Sequence, residues 1–178
     1  INSIYIYSAV VLGFIFLYFI YLEDLYIYLY YPQKYHLYSL EHISEYLASI
    51  SIILASATGF GLIIFVKYSI PTTIIILFLI AALLTHAILF INKSTITLHN
   101  HLTIIGITAL ITAQLFMIVN LLPTSIYVNG VMTGTLFYGM IGVIRMYVHD
   151  NLNKKNLQEY ALTSIIILLA ILVSARWT

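Results

Sequence analysis

Six apolar runs of about 20 residues, each nearly free of charge, constrain this chain more than any motif in it: roughly 3–22, 45–66, 70–92, 102–122, 125–148 and 157–175. That length carries a helix across the hydrocarbon core of a bilayer. Backbone polar groups in lipid must pair within their own segment or within a closed barrel. Barrel strands would be about ten residues long and alternate in polarity. The stretch "TTIIILFLIAALL" does not alternate. The sequence therefore predicts an all-α, polytopic transmembrane bundle of about six spans, with residues 1–178 forming a single integral-membrane domain.

Charge supports the same solvent. Only 7% of the 178 residues are charged, where a soluble domain carries about 25%. Such a chain cannot make a water-facing surface, so its first partner is the lipid bilayer. A net charge of +1 gives no electrostatic case for nucleic acid. Cysteine is absent, which removes disulfides, thiolate metal sites and cysteine nucleophiles.

Punctuation places the helix ends. Pro71 and Pro123 fall at or just before expected helix starts, where a missing N–H costs little. Asn100 is expected to cap the fourth span, and Asn156 with Glu159 has capping-box spacing at the start of the sixth. Residues 23–44 read differently. Eleven of the sixteen tyrosines precede residue 47, and tyrosine favours the headgroup region. The stretch 23–44 is expected to be a Tyr-rich interfacial loop, with one short helix lying on the membrane as an option, and Pro32 ends its short apolar core. Heavy use of Tyr and Ile also fits an AT-rich genome. The first run lacks a basic n-region and an A-x-A-like site, so no signal peptide is expected. Residue 1 is Ile, and a preceding segment stays open.

Lys34, Lys93, Arg145, Lys154 and Lys155 fall on one side of the membrane in this topology, Lys67 and Arg176 on the other. The positive-inside rule makes the first side cytoplasmic and turns both termini outward.

Polar residues within or beside the spans are the candidates for function. His86 is expected as the one histidine inside a span, as a neutral imidazole bonded to Thr108 or a backbone carbonyl, or else as a proton-relay or ligand residue. Haem is not expected, because no second histidine is expected to face it. His99 and His101 are placed in a loop, and an H-x-H pair alone is weak evidence for metal. Gln114, Asn120, Asn129, Thr133 and Thr135 are read as interhelical glue, with a polar pathway as the alternative. Arg145, His149 and Asp150 gather with Lys154 and Glu159 in the loop between the fifth and sixth spans. An Arg145–Glu159 pair across that hairpin is the plainer reading, and an anion or headgroup site the functional one. Small residues mark close helix approach: Ser51, Ala55 and Gly59 recur every fourth position, and Gly130 and Gly134 form a G-x-x-x-G continued by Gly142.

No H-E-x-x-H, G-x-S-x-G, P-loop or G-x-G-x-x-G occurs, so no catalytic, cofactor or metal role is assigned. No buried carboxylate is expected in a span, which disfavours a carboxylate-based ion pump.

The last third carries Leu122-Pro123-Thr124-Ser125, Phe137-Tyr138, Arg145 with Tyr147, Glu159-Tyr160 and the closing Ala175-Arg176-Trp177-Thr178. In these features it resembles a family of uncharacterised multi-span membrane proteins of small-genome, candidate-phylum bacteria. The resemblance covers about a third of the chain. It implies a six- or seven-helix membrane protein and transfers no functional residue.

Three functions follow as expectations. The first is a non-catalytic accessory or assembly component of a bacterial plasma membrane, associating with other membrane proteins or with further copies of itself. The second is a small-molecule or lipid transporter using His86 and the polar residues of the fourth and fifth spans. The third is a headgroup enzyme built on Arg145, His149 and Asp150.

Overall fold

A computed structural model describes residues 15–16, 18–23, 25–27, 29–31, 39–91, 98–148 and 154–174. Five helices follow in order: α1 (Ser39–Phe65), α2 (Ile70–Ile91), α3 (Leu98–Val119), α4 (Ile126–Val148) and α5 (Lys154–Ser174). The chain divides into two compact units between Leu47 and Ala48, within α1. In the first unit, every described position from 15 to 30 is helical. The description below concerns the second unit, from Ala48 onward.

Among the described residues, four helices are long and apolar enough to cross a membrane: His42–Phe65 of α1, and α2, α3 and α4 in full. The fold is thus a helical bundle of the membrane type, as the charge-free runs require. The first expected run falls largely outside the described residues. The last forms α5, whose apolar stretch is the shorter Ala161–Val173. Charge at Lys154, Lys155 and Glu159 takes up the opening turns of that helix. In the expected interfacial stretch 23–44, the described residues 23, 25–27, 29–30 and 39–44 are helical.

Helix ends follow local chemistry. The Ser69 hydroxyl accepts from the Thr72 N–H at 3.4 Å, and the Ser69 carbonyl accepts from the Thr73 N–H at 3.2 Å. Ser125 repeats this arrangement with the Val128 and Asn129 N–H groups at 3.4 and 3.0 Å. Both serines are N-caps, each taking up an N–H that has no partner inside the helix. Asn100 and Asn156 are not caps, because α3 and α5 begin two residues earlier, at Leu98 and Lys154. Pro71 stands second in α2, where a prolyl nitrogen forfeits nothing. At the other end of α1, Lys67 takes a φ of 58°. The Tyr68 N–H then turns back to the Leu62 carbonyl at 3.2 Å.

The second-unit part of α1 comes close to α2, α3 and α4 through glycine. An ideal Cβ on Gly130 would stand 2.8 Å from the Ala57 Cβ and 2.9 Å from the Ile53 carbonyl oxygen. One on Gly134 would stand 2.1 Å from Cγ1 of Ile53. Glycine at these two positions lets α4 lie against α1 at backbone distance. Gly59 brings α1 against α2 and α3: a Cβ there would meet Thr73 Cγ2 at 3.0 Å and Phe116 Cζ at 3.2 Å. Next to it, Phe60 of α1 stacks on Phe116 of α3 with centroids 4.2 Å apart and planes 17° apart. In lipid, where tails are as apolar as leucine, such packing contacts replace the hydrophobic effect as the force between helices. One core cluster gathers Ile52, Ala81, Ile88, Ala109, Phe137 and Ile141. A second gathers Phe60, Leu77, Phe116, Val119 and Met132. The outermost helix, α5, lies on α4, where Gly139 faces Ser164.

These contacts make the sign of a Gly-to-Ala change depend on position. Gly134→Ala is expected to lower stability by ~1–3 kcal/mol through overpacking, with partial recovery in the double variant carrying Ile53→Ala. Nothing lies within 4 Å of a Cβ on Gly61 or Gly106, so alanine there is expected to stabilise by ~0.5–1 kcal/mol. Lys67→Gly relieves a left-handed residue that costs roughly 1–2 kcal/mol, and it should raise stability by ~0.5–1 kcal/mol after the added freedom of glycine in the unfolded chain. Thermal unfolding in detergent micelles measures all of these.

Candidate functional site

Two histidines meet across the α2–α3 hairpin. Nδ1 of His86 and Nε2 of His101 are 3.1 Å apart in a hydrogen bond, with one ring's N–H donating to the other's bare nitrogen. The ring centroids are 5.3 Å apart and the planes cross at 67°. His86 is exposed and His101 half-buried. His86 stands five residues before the end of α2, and His101 three residues after the start of α3. At 1.5 Å per residue both lie about 5–8 Å inside the helix ends that meet at the 92–97 connection.

This arrangement corrects three expectations. His101 belongs to α3 and not to a loop. A second histidine does face His86. Thr108 is not its partner, because the Thr108 hydroxyl donates to the Ile104 carbonyl at 2.8 Å. The polar run Leu98-His99-Asn100-His101 reads as a loop because it holds too little apolar surface for a span. In the structure it forms the first turn of α3. Two residues along a helix turn through about 200°, so His99 and His101 point to opposite sides and only His101 faces α2.

The remaining polar residues of the spans are mostly satisfied within their own helices. Thr112 donates to the Thr108 carbonyl at 2.8 Å and Thr133 to the Asn129 carbonyl at 3.0 Å. Thr124 donates to Oδ1 of Asn129. Thr108, Thr112, Asn129, Thr133 and Thr135 are all buried. Asn120 lies one residue beyond α3 and not within it, its N–H bonded to the Phe116 carbonyl at 3.0 Å. Hydroxyls committed to their own helix's carbonyls do not line a hydrated path.

Gln114 stands apart. It is exposed on α3, in a groove between α2 and α3 whose other lining residues are Ile74, Ile75, Phe78, Leu110, Ala113 and Met117. The groove does not reach His86. No hydrogen bond ties the Gln114 side chain to the described residues.

Arg145 is half-buried in the last turn of α4. His149 and Asp150 lie outside the described residues, as do the side chains of Lys154, Asn156 and Glu159, and with them the Arg145–Glu159 pair and the headgroup cluster. Ser51 and Ala55 are half-buried on α1, and Gly59 is buried. The expectation that no span holds a buried carboxylate is overturned: Glu45, at 2% exposure, lies inside the candidate span that begins at His42. Its position at the very edge of the expected run hid it, because depth cannot be judged at a boundary. Among the described residues, no group of three or more His, Asp or Glu side chains is placed to hold a metal ion.

No family model, no curated protein and no solved structure matches the chain.

Satisfied hydroxyls should be dispensable to packing. Thr112→Val and Thr133→Val are expected to change stability by less than about 1 kcal/mol, since each loses one intrahelical hydrogen bond and leaves its acceptor in the helical ladder. Thr85 is 1% exposed and its hydroxyl has no hydrogen-bond partner among the described residues. Thr85→Val is therefore expected to stabilise, by up to ~1 kcal/mol. Unfolding midpoints in micelles distinguish the two cases.

Proposed function

We propose that this chain is a non-catalytic, multi-pass component of a bacterial plasma membrane that works by packing against other membrane helices, as an accessory or assembly partner. The observation that carries this reading is Gln114. Gln114 is exposed on α3, five residues from the helix end, or about 7–8 Å inside. It lies in a groove otherwise lined by apolar side chains and Ala113. A primary amide facing hydrocarbon without a partner is costly. A hydroxyl or amide from a helix of another copy, or of another membrane protein, removes that cost.

The burial pattern supports the same reading. In none of the four candidate spans is more than 44% of the most apolar window buried within the chain. Leu79, Leu83 and Phe90 of α2 and Leu162, Ile165 and Val173 of α5 are all more than half exposed. These faces are left for lipid or for neighbouring helices. Inside the bundle, by contrast, Thr108, Thr112 and Thr133 are bonded within their own helices, which favours packing over transport.

The test is assembly in mild detergent, followed by native electrophoresis across a dilution series. Gln114→Leu is expected to weaken association about threefold, corresponding to the ~0.6 kcal/mol typical of an interhelical polar contact in a membrane. Gln114→Asn should retain part of it. Wild-type protein that stays monomeric and alone at every concentration, or a Gln114→Leu variant that assembles as wild type, overturns the reading.

A further inference from the structure

We propose that His86 and His101 form a two-imidazole site for a divalent transition-metal ion of the zinc and copper class. The inference is independent of the assembly reading. It rests on spacing. Two nitrogens bound to one tetrahedral zinc at 2.0–2.1 Å stand about 3.3–3.4 Å apart. Nδ1 of His86 and Nε2 of His101 stand 3.1 Å apart. An opening of a few tenths of an ångström, with each ring turned by roughly 35° so that its lone pair leaves the N···N line and meets the ion, converts the hydrogen-bonded pair into a chelating one.

The chemistry of the donors agrees. Neutral imidazole suits zinc, copper and nickel, whereas calcium and magnesium require oxygen ligands. Coordination fixes the tautomers: His86 binds through Nδ1 and keeps its proton on Nε2, while His101 binds through Nε2 and keeps its proton on Nδ1. Both rings stay neutral, so the proton in the shared hydrogen bond moves to the far nitrogen of its own ring by exchange with solvent, and none is lost overall. His86 is exposed near the end of α2 that leads into the 92–97 connection. No third His, Asp or Glu joins the pair among the described residues. Two positions on the ion therefore belong to water or to a small exogenous ligand. The site is open and exchangeable, and a bound ion clamps α2 to α3.

The full chain in detergent micelles is titrated with Cu²⁺ and followed by electron paramagnetic resonance, with Zn²⁺ as competitor and as stabiliser in thermal unfolding. The expected result is one ion per chain with hyperfine coupling to two imidazole nitrogens, and an unfolding midpoint that rises with Zn²⁺. His86→Gln and His101→Gln should each weaken binding by more than about tenfold, beyond the lower bound for losing a supporting residue around a metal. His99→Gln should leave binding unchanged. A wild-type spectrum without two coupled imidazole nitrogens overturns the proposal, as does a four-imidazole spectrum or affinity unaltered in both variants. If either variant loses its helical circular dichroism, the wild-type spectrum and its stoichiometry decide alone.

Discussion

Everything in this structure depends on the pairing of backbone groups away from water. A peptide carbonyl left open in hydrocarbon costs several kcal/mol, so each apolar run closes its own ladder before it meets a neighbour. That single demand makes the runs helical. It also explains what their side chains do. Thr73, Thr108, Thr112 and Thr133 all turn their hydroxyls onto the carbonyl four residues earlier. These four hydroxyls are thus absorbed locally and leave the contacts between helices mostly apolar. Bare surface matters most where α1 and α4 meet, because a side chain at Gly134 would occupy space already taken by Ile53.

Composition made the helical bundle legible, and a run of twenty apolar residues has few other fates. All five helices end within three residues of where hydropathy ends them, and α2 and α4 also begin within one. The errors are concentrated where helices leave the hydrocarbon. Helix α1 starts at Ser39, well before its apolar face does, and α3 starts at Leu98, through two histidines and an asparagine. Hydropathy measures preference for lipid, whereas a helix continues until a cap or a breaker stops it. Ser69 and Ser125 are such stops, and their signal was present in the sequence as Ser at the residue before each helix.

The histidine pair was missed for the same reason. With His101 assigned to a loop, nothing stood opposite His86. The antiparallel geometry of α2 and α3 carries the missing information: residues equally far from a short connection lie side by side. His86 and His101 satisfy that condition across the 92–97 segment. Glu45 was missed through the opposite fault, a boundary drawn through the residue itself. Gln114 was identified as polar glue between spans, but which way it faces depends on helix rotation, and a moment as small as that of α3 leaves rotation unreadable.

The close fit of α4 on α1 also bears on how the chain is made. Gly134 and its neighbour Ile53 are separated by about eighty residues, so at ~5–20 residues per second the ribosome delivers the second roughly 4–16 s after the first. During that interval α1 sits in the bilayer with the Ile53–Ala57 surface uncovered. A waiting face of this kind is open to any helix with a matching groove, including one from a neighbouring nascent chain. The order of synthesis thus creates a window in which biogenesis is at its most error-prone, and it closes only when the fourth helix arrives.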